Sequence, residues 1–219
     1  MSSAQRVDRK RRAKHKRLRG RWDSLTDWAR AQAKSVMAPI IRALGQVGVH
    51  PNVVTVLGFL LQVGVGVVFG LGHTRLGGLL LLTVGPVDAL DGALARSLGQ
   101  QSRFGAFLDS TLDRLSDAAL ILGLTAYYLR EGETLAVVLS LTSLVAALMV
   151  SYTRARAESL GVTCKVGLLT RLERIVLIGT LSLVGLPLVM MWALAILSVV
   201  TVVQRILYVY LVSRREELE

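Results

Sequence analysis

The run D-A-L-D-G-A-L-A-R (88–96), an eight-residue interval (97–104) and G-A-F-L-D-S-T-L-D (105–113) decide how this chain is read. Four carboxylates, Asp88, Asp91, Asp109 and Asp113, stand in a sequence otherwise suited to lipid. Charge at membrane depth is costly, so such residues point to function. Asp88 and Asp91 are three apart and Asp109 and Asp113 four apart, so each pair shares one face of a helix. The polar stretch Gln100–Phe104 turns the chain between them, and two adjacent antiparallel helices then aim the pairs at each other. Four such groups cannot all stay ionised side by side without cations. Hard divalent ions, Mg²⁺ or Mn²⁺, take carboxylate oxygens and phosphates together. Two such ions in one clamp suit phosphoryl transfer, because they hold both the attacking and the leaving oxygen. Gly92, Ala95 and Gly105 leave room for a ligand beside the carboxylates, and Arg96, one turn beyond Gly92, is placed to pair with a phosphate.

Composition sets the environment. The chain has 219 residues, 53% of them hydrophobic, with a mean hydropathy of +0.53. Long apolar runs at that level predict an integral membrane protein. The net charge of +11 is concentrated, since ten of the 26 Lys and Arg precede Trp22. A basic tail next to a membrane domain meets anionic headgroups more simply than nucleic acid, so no nucleic-acid partner is expected. The single cysteine, Cys164, rules out an intrachain disulfide and gives no support to a thiolate metal site. No cleavable signal peptide is expected, because the basic tail leads into an amphipathic stretch.

Three regions follow. Residues 1–20 read as a basic, disordered cytoplasmic tail. Residues 21–44 read as an interfacial amphipathic helix, with Trp22 and Trp28 at headgroup level and Pro39 bending or ending it. Residues 45–213 read as an all-α membrane domain of about six spanning helices: Pro51 to about Leu71, Leu76–Arg96, Phe104–Leu129, Leu135–Ala155, Leu172–Leu186 and Leu188–Leu211. Gly185 and Pro187 form the tight turn between the last two. With both termini in the cytoplasm, the inside carries most of the Lys and Arg, and the outer turns carry little beyond Arg75 and Arg130. That places the carboxylates at the cytoplasmic face of the plasma membrane.

The pattern D-x2-D-G-x2-A-R-x8-G-x3-D-x3-D resembles the signature of the CDP-alcohol phosphotransferases, with every fixed position present. The resemblance implies a membrane enzyme of phospholipid biosynthesis that displaces CMP from CDP-diacylglycerol with an alcohol. It implies that Asp88, Asp91, Asp109 and Asp113 hold two metal ions and that Asp113 is also the catalytic base. By the same likeness Gly92, Arg96 and Ser102 contact the CDP group. Asn52 and Thr55, in the P-N-x-x-T piece at the start of the first span, help to hold it.

A second resemblance concerns the acceptor. The S-Y-x-x-A-R-A-E segment and the R-x-E-R that follows are similar to those of phosphatidylinositol phosphate synthases of the actinobacterial type. There Ser151, Arg154, Arg156, Arg174 and Arg205 match positions that hold inositol phosphate. Arg154 stands where that subfamily usually has Lys, and Thr170 replaces an acidic residue expected before Arg171. The implied acceptor is inositol phosphate, with glycerol 3-phosphate as the nearest alternative. A homodimer is implied by resemblance alone. A reading from another class is a divalent-cation transporter; against it, both carboxylate pairs lie at one end of the membrane instead of along a path across it.

Overall fold

The structure, a computed structural model, describes residues 48–85 and 94–216. The basic tail, the interfacial helix, and Asp88, Asp91 and Gly92 lie outside those residues. Every extended element among the described residues is a helix. They are α1 (Pro51–Gly70), α2 (Thr74–Val84), α3 (Arg103–Arg130), α4 (Thr134–Ser159), α5 (Arg171–Val184) and α6 (Pro187–Glu216). Leu94–Ser97 is also helical.

Local chemistry explains the boundaries. Pro51 sits in the first turn of α1, where its missing N–H has no partner to lose, and the His50 Nδ1 accepts the Asn52 amide at 3.2 Å. Ser102 caps α3, its Oγ accepting the Gly105 amide at 2.9 Å. Thr170 and Glu173 form a capping box on α5. Gly185 ends α5 in the left-handed region at φ 80°, and Pro187 starts α6 two residues later. Helix α4 runs one turn beyond the expected Ala155, and α6 runs past Leu211 to Glu216. Both extensions are polar and rich in good helix formers, so the helix outlasts its apolar run.

Among the described residues, three helices are long and apolar enough to cross a membrane: Pro51–Gly70, Thr134–Ser159 and Pro187–Arg215. Helix α3 is longer than α1 but carries Asp109, Asp113, Arg114 and Asp117, which lower its hydropathy. The apolar residues lie on both sides of the bundle. Phe69, Leu81, Leu120, Leu124, Ile178 and Leu194 form the core, while Leu57, Leu60, Val145, Leu141, Val203 and Ile206 are exposed. A helix apolar on every side belongs in lipid rather than in water.

Helices α1 and α3 run parallel. Asn52 lies near Gly105 at one end, Gly66 near Ala119 and Gly123 in the middle, and Arg130 donates to the Gly70 carbonyl at the other end. Glycine makes the approach possible: a Cβ on Gly66 would lie 2.6 Å from the Ala119 carbonyl oxygen, and one on Gly123 would strike the Gly66 backbone. Helices α2 and α5 cross antiparallel by the same device, with a Gly78 Cβ only 2.6 Å from the Gly179 oxygen. The Thr125 and Ser140 hydroxyls bond at 2.8 Å between α3 and α4. The topology brings the starts of α1, α3 and α5 and the ends of α4 and α6 to one end of the bundle.

Gly123→Ala therefore destabilises the protein by about 1–3 kcal/mol, since backbone on the facing helix cannot move aside like a side chain. Gly64→Ala, whose Cβ meets nothing within 4 Å, keeps or raises stability. Thermal unfolding in detergent separates the two.

Candidate active site

Two parallel helix starts frame the first part of the site. The N-termini of α1 and α3 carry the partial positive charge of the helix dipole, and neither helix has an acidic residue in its first turn. Between them a cavity of about 450 Å³ is lined by Asn52, Thr55, Arg96, Ser102, Gly105 and Asp109, among others. Gly105 keeps it open, because a Cβ there would sit 3.0 Å from the Ser102 Oγ and 3.1 Å from the Asn52 Oδ1. The structure thus gathers four of the five residues that resemblance assigned to the CDP-lipid, and one of the carboxylates. The fifth, Gly92, lies outside the described residues, as do Asp88 and Asp91. Paired helix N-termini with an arginine are suited to a phosphate-bearing ligand.

The second part is a row of charge on α3. Asp109, Asp113 and Asp117 repeat at four-residue intervals, so they follow one face inward. Asp109 and Asp113 are half-buried, and Asp117 is buried. Helix α5 answers the row. Arg171 places one guanidinium nitrogen 2.5 Å from an Asp113 oxygen and Nε 3.8 Å from Asp117 Oδ1. Arg174, only 2% exposed, donates to the other Asp117 oxygen. Asp117 is absent from the sequence-derived set, although the D-x3-D-x3-D spacing carries it. Its partner lies 57 residues away, and only the fold joins them.

Asp109 and Asp113 fit a hard divalent ion. They are half-buried oxygen donors one helical turn apart, and Asp109 opens onto the cavity. Among the described residues no group of three metal-ligating side chains forms; Asp88 and Asp91 lie outside them.

The residues matched to the acceptor divide into two kinds. Arg154 is exposed and pairs with Glu158 at 2.9 Å, and Arg156 reaches the Ser159 hydroxyl at 3.5 Å; both partners are on α4. Ser151 is half-buried on the same helix. Arg174 and Arg205 are buried. Arg205, the deep cation on α6, donates through Nε to the Val166 carbonyl at 3.0 Å and through another nitrogen to the Val150 carbonyl. Its local sequence holds no acid, but the fold supplies backbone oxygens. Arg205 and Thr201 pin the α4–α5 loop: the Leu169 amide donates to the Thr201 Oγ at 3.0 Å, and Gly167 passes so close that a Cβ would meet Thr201 at 2.7 Å.

Residues 48–204 match the sequence profile of the CDP-alcohol phosphatidyltransferases. The archaetidylinositol phosphate synthase of Pyrococcus horikoshii is 38% identical over 178 residues, which is 81% of this chain and 92% of that protein. The crystal structure of Mycobacterium tuberculosis phosphatidylinositol phosphate synthase with CDP-DAG bound superposes with a TM-score of 0.76 at 36% identity, covering 80% of this chain and 94% of that one. The same enzyme in complex with manganese and citrate gives a TM-score of 0.74 at 36% identity, covering 80% and 88%. The parallel helix starts, the carboxylate row and these likenesses agree: the chain is a transferase of phospholipid synthesis and belongs to the CDP-alcohol phosphatidyltransferase family.

Proposed function

We propose that the chain transfers the phosphatidyl group of CDP-diacylglycerol to inositol phosphate, releasing CMP. The observation that carries this is the cavity between the α1 and α3 N-termini, which meets the carboxylate row at Asp109. The two named relatives support the acceptor, since both names contain an inositol phosphate and differ in the lipid.

In this reading Asn52, Thr55, Gly92, Arg96 and Ser102 hold the CDP end of the donor. Asp88, Asp91, Asp109 and Asp113 hold two divalent ions, Mg²⁺ or Mn²⁺. When bound, these supply charge to the pyrophosphate and stabilise the departing CMP oxygen. Asp113 accepts the proton of the attacking hydroxyl. That oxygen forms a bond to the lipid-bearing phosphorus, the bond from that phosphorus to the CMP oxygen breaks, and CMP leaves with the electron pair. Ser151, Arg154, Arg156, Arg174 and Arg205 form the acceptor side. Arg154 and Arg156, at the surface, are free to turn to a phosphate, whereas Arg174 and Arg205 fix Asp117 and the α4–α5 loop beside it.

The membrane arrangement belongs to the same proposal. Six helices span the plasma membrane, preceded by the interfacial helix, and the site faces the cytoplasm. Arg96, Arg103, Arg154, Arg156, Arg171 and Arg214 share the site end, and Arg75 and Arg130 the other, which fits the positive-inside pattern. The working form is a homodimer.

Purified protein with CDP-diacylglycerol and Mg²⁺ should release CMP with inositol phosphate and not with serine or free inositol. Release with glycerol 3-phosphate alone would reassign the acceptor, and full release in excess EDTA would remove the metal reading. Asp113→Asn should lower turnover by roughly 10²- to 10⁴-fold, the range of a lost general base, while CDP-lipid binding persists.

The two kinds of arginine should respond differently. Arg154→Gln and Arg156→Gln should raise the acceptor KM about ten- to a hundredfold, since a charge-assisted contact is worth about 1.5–3 kcal/mol. Arg205→Gln should raise the acceptor KM and also cost about 1–3 kcal/mol of stability, because it leaves buried carbonyls unpaired. Separate titrations of acceptor and CDP-lipid, with thermal unfolding alongside, check both.

A further inference from the structure

Arg171 stands at the first residue of α5, where a cation opposes the helix dipole. Glu173 and the Thr170 cap serve that terminus, so local preference gives no reason for an arginine there. Its reason is across the interface. It bridges Asp113 and Asp117 unequally, 2.5 Å from the first and 3.8 Å from the second. The neighbouring Arg174–Asp117 pair has side chains only 2% and 7% exposed, whereas those of Arg171 and Asp113 are 23% and 30% exposed. Exposed pairs contribute little, while breaking a buried one leaves an unpaired charge and costs far more. Of the two arginines, Arg174 is therefore the more firmly fixed and Arg171 the less.

We propose that Arg171 is a placeholder cation. It neutralises Asp113 while no divalent ion is present. When one binds, the Asp113 oxygens go to the ion, and Arg171 swings away, still held near Asp117, to take the phosphate of the acceptor. Asp113 is thereby kept paired when the site is empty, and the site gains an anion-binding arginine only once the metal is in place. Metal binding thus precedes and strengthens acceptor binding. The proposal rests on the reading that Asp109 and Asp113 hold metal.

The test uses the full chain in detergent without CDP-lipid, titrated with Mn²⁺ while free Mn²⁺ is followed by its EPR signal. Arg171→Gln should bind Mn²⁺ about tenfold more tightly than wild type, within the usual range of coupling between sites. Arg171→Lys, which keeps the charge, should stay close to wild type. Arg215→Gln, which removes an exposed charge at the same end of the bundle, should change little. With Mn²⁺ saturating, inorganic phosphate should bind Arg171→Gln about tenfold more weakly than wild type. Wild-type Mn²⁺ affinity in Arg171→Gln overturns the proposal, as does an equal gain in Arg215→Gln, which would trace the effect to distant charge. Unchanged phosphate affinity overturns the handover to the acceptor. If Asp113→Asn binds Mn²⁺ like wild type, the metal reading falls and the placeholder with it.

Discussion

Everything at the site depends on carrying carboxylates inside an apolar bundle. An isolated carboxylate would take up a proton before it accepted burial in such surroundings. The chain meets this by setting α5 against α3 so that Arg171 and Arg174 face Asp113 and Asp117. The buried Arg174–Asp117 pair fixes where α5 lies. The Arg171–Asp113 pair beside it is more open. Charge pairing and helix packing are thus served by the same residues.

A second constraint is geometric. Two parallel helices can present their N-termini side by side only if nothing holds them apart along their length. Gly66 and Gly123 remove that obstacle in the middle of the bundle, and Gly105 removes it at the mouth of the cavity. The α4–α5 loop is held by a different means. Arg205 and Thr201 bond to its backbone, so the segment leading into Arg171 is held by polar contacts as well as by the burial of Val162, Cys164 and Leu169.

Much of this was legible in the sequence. The apolar runs, with Pro51, Gly185 and Pro187 as punctuation, place five of the helices close to where they form; the second, expected over Leu76–Arg96, is described only as Thr74–Val84 and Leu94–Ser97, with the residues between outside the described ones. The aspartate spacing marks one end of α3 as a candidate site, and the P-N-x-x-T piece supplies the cavity wall opposite Gly105. What could not be read is what joins residues distant in the chain. Asp117 looks like one more acid on a helix until Arg174 is seen against it. Arg205 looks like a cation in need of an anion until the Val150 and Val166 carbonyls are seen. Close glycine crossings have no periodic signature, because a glycine in an apolar run reads the same whether it faces lipid or another backbone.

The glycine contact between α1 and α3 also bears on how the protein suits different bilayers. It fixes the level of one helix against the other from the middle of the bundle towards the cavity, through backbone and not through side chains. The outward residues Leu57, Leu60 and Val67 take no part in that contact. A thicker or thinner hydrocarbon layer can then be met by exchanging outward side chains or by tilting the bundle as a unit. The relative height of Asn52 and Ser102 does not change in either case. Adaptation to lipid and preservation of chemistry are carried by separate faces of the same helices.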